Sequence, residues 1–129
     1  MIVLDASAAV DFFTHAASAE RIAPHLESDF AVHVPALFDL EVLQSLRGLE
    51  AGGKLSQART DLALRKLTDL RAVRYDHQRL RPRIWALRSN LTAYDAAYVA
   101  LAELLDATLL TTDGALSRSS GHAARVEVP

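Results

Sequence analysis

The chain has 129 residues, 50% hydrophobic and 23% charged, with 14 basic against 16 acidic residues and no cysteine. That length suits one domain, residues 1–129, able to bury roughly two thirds of its unfolded surface, and the apolar share argues against intrinsic disorder. The missing thiols exclude disulfides, zinc–thiolate sites, cysteine-ligated iron–sulfur clusters and cysteine nucleophiles.

Ile2-Val3-Leu4 is a short uninterrupted apolar run, as expected of a strand buried in a parallel sheet. The same opening lacks the basic region and cleavage site of a signal peptide, and no stretch approaches the ~18 apolar residues of a membrane span. A cytoplasmic protein with no membrane attachment is expected. Ala6–Phe13 reads as a helix, residues 18–27 as a second one weakened by Pro24, and residues 31–34 as extended. Pro35 is expected at a helix start. From Ala36 to Ala51, Phe38, Val42, Leu46 and Leu49 form a helical stripe. Leu37, Leu40 and Leu43 fall outside it, so this helix is apolar on more than one side. Gly52-Gly53 ends it.

Ser56 is a candidate N-cap for a helix running to about Leu70, followed by a short strand, Ala72–Tyr75. A helix is predicted from Gln78 to Leu87, with Pro82 early and Trp85 inside. Thr92–Asp106 is the clearest helix, rich in alanine, with Tyr94, Tyr98, Leu101 and Leu105 along one face. A strand at Thr108–Thr111, a short helix to about Ser119 and a last strand at Arg125–Val128 complete the chain. Strands separated by helices imply a parallel sheet covered on both faces.

Two strands finish alike: Asp5 follows Ile-Val-Leu, and Asp113 follows Leu-Leu-Thr-Thr. In open α/β sheets the ligand crevice lies beyond the carboxyl ends of the strands. Each aspartate also precedes a helix, where it would serve equally well as an N-cap. Asp95 stands three residues after Thr92, the spacing of a capping box, yet its neighbours are mostly apolar. Glu41 and Asp39 point to nearly opposite sides of their helix, so one faces the crevice and the other solvent.

If Asp5, Glu41, Asp95 and Asp113 converge, their mutual repulsion calls for a cation, and oxygen ligands without thiolates suit Mg²⁺ or Mn²⁺. Ser7 and Thr112 accompany the acids, as holders of a carboxylate or as local caps. Asn90 is either a loop cap or a polar member of the site. Residues 65–88 hold eight basic against two acidic residues, a net of +6, interleaved with Tyr75, His77 and Trp85. Arg74, Arg79 and Arg81 within it are candidate nucleic-acid contacts, the alternative being a solvated helix face. The five histidines show no metal-binding spacing and read as surface or packing residues.

Four stretches together resemble a PIN-domain ribonuclease, and most closely the VapC-type toxins of bacterial type II toxin–antitoxin pairs. They are Met1–Ala8, Leu40–Leu43, Asn90–Ala102 and Leu110–Asp113, in order and at normal spacing over essentially the whole chain. The resemblance implies a Rossmann-like three-layer α/β/α fold around a short-stranded parallel sheet, and a Mg²⁺- or Mn²⁺-dependent endoribonuclease. By position, Asp5, Glu41, Asp95 and Asp113 match the acidic quartet, with Ser7 and Thr112 as supporting hydroxyls and Asn90 as an extra member. Asp11 and Asp39 are acids beyond that pattern. The resemblance also implies an RNA substrate, a cognate antitoxin covering the groove, and a homodimer. Arg118, shortly after Asp113, is a candidate phosphate contact or a plain surface arginine.

Two other classes stay in view. A dehalogenase-like phosphatase wants an acid two residues after Asp5, where this chain has Ser7, and a phosphate-receiver domain wants a late lysine, whereas the only lysines are Lys54 and Lys66. The other is a non-catalytic RNA- or protein-binding module whose acids are caps.

Overall fold

The computed structural model describes residues 1–129. Strands β1 (Ile2–Leu4), β2 (Val32–Pro35), β3 (Ala72–Tyr75), β4 (Thr108–Leu110) and β5 (Arg125–Glu127) form one sheet in the order β3-β2-β1-β4-β5. Every pairing is parallel, with Val3 opposite both His33 and Leu109. The three inner strands are apolar and largely buried, whereas β3 and β5 are edges with exposed residues. Helices α1 (Ala6–Thr14), α2 (Ala16–Glu27), α3 (Phe38–Ala51) and α4 (Gln57–Asp69) pack among themselves. On the β1, β2 and β4 surface lies α6 (Ala93–Leu105), flanked by α5 (Arg81–Ala86). The short α7 (Gly114–Ser117) follows β4. No helix is long and apolar enough to cross a membrane.

Residues Ala96–Ala102 of α6 are buried without a break, because the middle of the helix lies within the protein and its small alanines allow close approach to the strands, whereas Tyr94 and Leu104 at its ends are exposed. The expected caps form: Ser56 Oγ accepts the Arg59 N–H (3.2 Å), and Thr92 Oγ1 accepts the Asp95 N–H (3.2 Å). Two expectations need correction. Pro35 ends β2 rather than starting a helix, since the Ala36 N–H still donates to the Tyr75 carbonyl (2.8 Å) and α3 begins only at Phe38. The predicted Gln78–Leu87 helix is a 3-10 turn at Gln78–Leu80 followed by α5, because Pro82 has no N–H to continue a ladder and instead sits in the first turn of a new one. Helix α2, by contrast, continues through Pro24.

Candidate active site at the carboxyl edge of the sheet

The strand order reverses direction between β1 and β4, the switch point at which a crevice opens beyond the strand ends. Asp5 stands there. Its N–H donates to the Leu110 carbonyl of β4 (3.0 Å), and its own carbonyl accepts the Ala9 N–H (3.1 Å), the first bond of α1. Although Asp5 occupies the N-cap position, its carboxylate makes no capping bond. Oδ2 instead accepts from Ser7 Oγ (2.5 Å) and Thr111 Oγ1 (2.7 Å). The side chain is therefore held across the β1–β4 gap, with the residue only 6% exposed.

Thr111 was not singled out by the sequence, and it is the residue that ties the site together. Fully buried, it gives its proton to Asp5 and accepts the Asp113 N–H (3.0 Å). Ser7 likewise gives its proton to Asp5 and accepts the Thr112 N–H (3.2 Å). The 3.1 Å between the two hydroxyls is then a contact without a proton to share. Thr112, expected to supply a supporting hydroxyl, supplies its backbone; side chains alternate along an extended segment, and it is Thr111 that turns inward.

The other acids arrive from separate elements. Asp113 caps α7, with Oδ1 accepting the N–H groups of Ala115 (2.8 Å) and Leu116 (3.3 Å). Glu41 lies in the first turn of α3, where its Oε1 accepts the hydroxyl proton of Tyr98 (2.6 Å). Tyr98, buried on α6, is a second residue the sequence did not mark; its ring fits the apolar stripe and conceals the role of its oxygen. Asp95 sits in the first turn of α6 under the Thr92 cap. Asp39 is taken out of this group by a two-bond pair with Arg74 (2.5 and 2.8 Å), and Asp11 lies one turn beyond Ser7, near His15.

Electrostatics couple the quartet. Burial raises the Asp5 pKa and the nearby Asp113 charge adds to it, against the opposing bonds from Ser7, Thr111 and the Ala6 amide. Glu41 is raised by burial and by the charges of Asp5 and Asp95, Tyr98 opposing. Asp95 is raised by burial and by Asp5 and Asp113. Burial, then the Glu41 carboxylate, pushes the Tyr98 hydroxyl far up, so it stays a donor. No basic group acts on any of these three acids. An all-oxygen, uncompensated anionic set has the chemistry of a hard-cation centre, although no three of these acids are drawn together into a ready-made ion cage.

The remaining expected residues are placed as follows. Asn90 does not bond the acids: its Nδ2 donates to the Ser120 carbonyl (2.8 Å) and fills the space above Gly121, whose φ of +85° suits glycine. Arg118 lays its guanidinium against Gly114, beside the start of α7. The basic segment is partly consumed internally, since Arg74 pairs with Asp39, Arg83 with Glu103 (2.7 Å) and Arg88 stacks on Trp85 (4.6 Å to the ring centre). Arg79 and Arg81 are exposed and outside every ion pair. Two histidines are structural: His33 bonds Tyr75 Oη (2.7 Å), and His77 Nε2 accepts the Leu37 N–H (3.2 Å) at the head of α3.

A five-stranded doubly wound sheet, with acids near its switch point close enough to raise one another's pKa, defines an α/β protein with an anionic centre. The PIN domain family profile matches residues 2–121. The chain is 38% identical over 128 residues to Ribonuclease VapC12 of Mycobacterium tuberculosis, covering 99% of this chain and 98% of that one. It is 42% identical over 117 residues to Ribonuclease VapC9 of the same organism, covering 91% and 89%. The fold matches PAE2754 from Pyrobaculum aerophilum (TM-score 0.71, 22% identity, 97% and 81% of the two chains). It also matches VapBC2 from Rickettsia felis, solved bound to a promoter DNA fragment (TM-score 0.71, 15% identity, 100% and 99%). The chain belongs to the PIN domain family.

Proposed function

We propose that this chain is a divalent-metal-dependent endoribonuclease, the toxin of a toxin–antitoxin pair, which hydrolyses RNA phosphodiester bonds in the cytoplasm and is restrained by a cognate antitoxin. The observation that carries the chemistry is the buried Asp5 carboxylate, surrounded by other carboxylates and by no base. Near-full-length likeness to proteins named VapC ribonucleases carries the substrate class and the toxin role.

Asp5, Glu41, Asp95 and Asp113 are the residues that would hold Mg²⁺ or Mn²⁺. When bound, such a cation supplies Lewis acidity that offsets charge building on the phosphoryl oxygens. The protein's part is positional. Ser7 and Thr111 fix one oxygen of Asp5, Tyr98 orients Glu41, and the Thr92 cap fixes the turn that presents Asp95. Glu41 and Asp95 are only half-buried, which leaves them open to a substrate phosphate in this reading. Arg118, whose guanidinium lies against Gly114, and the exposed Arg79 and Arg81 are the arginines that would meet RNA phosphates in this reading. A homodimer is part of this reading, with the exposed Leu40 and Leu43 of α3 as apolar surface for a second protomer.

The test is cleavage of total cellular RNA by purified protein with Mg²⁺ or Mn²⁺, with EDTA, and in Asp5→Asn. Cleavage is expected only in the wild-type protein with metal. Equal cleavage by Asp5→Asn or in EDTA sinks the proposal.

A further inference from the structure

A trough of about 590 Å³ begins at Ser7, one of the two hydroxyls on Asp5, and runs away from the acids between α1 and α3. Residues three or four apart share a helix face, so Ser7 and Asp11 follow each other along α1, as Gln44 and Gly48 do along α3, one turn beyond Glu41. Gly48 leaves the floor open, for a Cβ there meets no atom within 4 Å. Beyond the end of α3 the chain reverses at Gly53 (φ +72°), and the Lys54 N–H donates back to the Leu49 carbonyl (2.9 Å). That turn brings Lys54 to the far mouth of the trough, where it joins none of the structure's ion pairs. Asp11, the one carboxylate in the trough, lies 3.7 Å from the His15 ring.

We propose that this trough seats the RNA strand adjoining the bond to be cut, with Lys54 receiving a backbone phosphate; the inference rests on the ribonuclease reading above. From Ser7 to His15 the helix advances about 12 Å at 1.5 Å per residue. Stacked nucleotides repeat about every 3.4 Å along a strand, so the trough has room for about three. The Gln44 amide offers both a donor and an acceptor to a base edge or a 2′-hydroxyl. A trough that carries Ser7, Gln44 and Ser45 along its walls and ends in an unpaired cation suits an extended polyanion, with the apolar stems between them as surface for bases to lie on.

The experiment measures binding of a fluorescein-labelled random-sequence decamer RNA by anisotropy, in the Asp5→Asn background with EDTA so that the RNA stays intact. Adding Lys54→Ala is expected to weaken binding about tenfold at low salt. It should also reduce the slope of log affinity against log salt by about 0.7, one phosphate contact on a single strand. Lys66→Ala, which removes the same charge on α4, should change neither quantity. Gly48→Phe fills the trough at a helical position where losing glycine favours the helix, so it should weaken binding with no fall in thermal midpoint. Unchanged affinity and slope in Lys54→Ala, or wild-type affinity in Gly48→Phe, overturns the inference. Lys54-dependent binding by a protein that cuts no RNA supports the trough and sinks the ribonuclease reading. Wild-type cleavage with Lys54-independent binding does the opposite.

Discussion

Asp5 pays a desolvation cost that only its two hydroxyl partners and one amide relieve within the protein. Its pKa is raised on folding, as are those of Glu41 and Asp95, from ordinary values of 3.8, 4.5 and 3.8. An acid shifted this way contributes stability while protonated and loses that contribution as pH rises through its folded value. In EDTA, the thermal midpoint of wild type relative to Asp5→Asn should therefore drop as pH climbs from about 4 toward 8. A gap that stays constant with pH would show that Asp5 titrates normally. Thr111→Val keeps the shape but removes the donor to Asp5, and loss of such a supporting bond typically costs about 10–100-fold in activity or metal affinity. Thr112→Val should change cleavage rates little. The reverse ranking of these two variants would restore the sequence-based choice. The sequence could not settle that choice for a definite reason: adjacent threonines are indistinguishable until the alternation of the extended chain says which one faces inward.

At the scale of single elements, strand ends and caps were the most legible features. Asp5 and Asp113 ended apolar runs, Ser56 and Thr92 stood at helix starts, and all four took those positions. What the sequence hid was anything settled between elements. Tyr98 on α6 reaches Glu41 on α3, and Arg74 on β3 claims Asp39, two pairings that separations of 57 and 35 residues conceal. The Asp39 pairing also decides which acid of that helix faces the crevice. Thr92→Ala should destabilise the protein by about 1 kcal/mol, and because the same bond fixes the turn bearing Asp95, cleavage should fall more than stability does. Denaturant titration alongside initial rates checks this, and a rate loss no larger than the stability loss would limit Thr92 to a cap. Tyr98→Phe should cost about 1 kcal/mol of stability through the lost bond to Glu41, read from the same titration.

Across the molecule, the basic segment shows how composition and arrangement part company. Its local net of +6 pointed to a nucleic-acid face, yet Arg83 spends its charge inside the fold. Arg83 grips Glu103 through two bonds (2.7 and 2.9 Å), and Glu103 also accepts the Ala123 N–H (2.9 Å), so one carboxylate joins α5, α6 and the approach to β5. Arg83 holds the Glu103 carboxyl below its usual pKa, an effect present above pH 4.5 and lost as pH falls through the lowered value. Glu103→Gln should cost about 1 kcal/mol at neutral pH, a modest figure because the arginine is partly solvated, and the difference should vanish in acid melts.

The Thr111 N–H donates to the Glu127 carbonyl of β5 (3.0 Å) while the same residue's hydroxyl grips Asp5. The outermost strand is thereby a handle on the chemistry. Peeling it away, by a protease or by a competing strand, would slacken the threonine and dim the enzyme with every acid still in place.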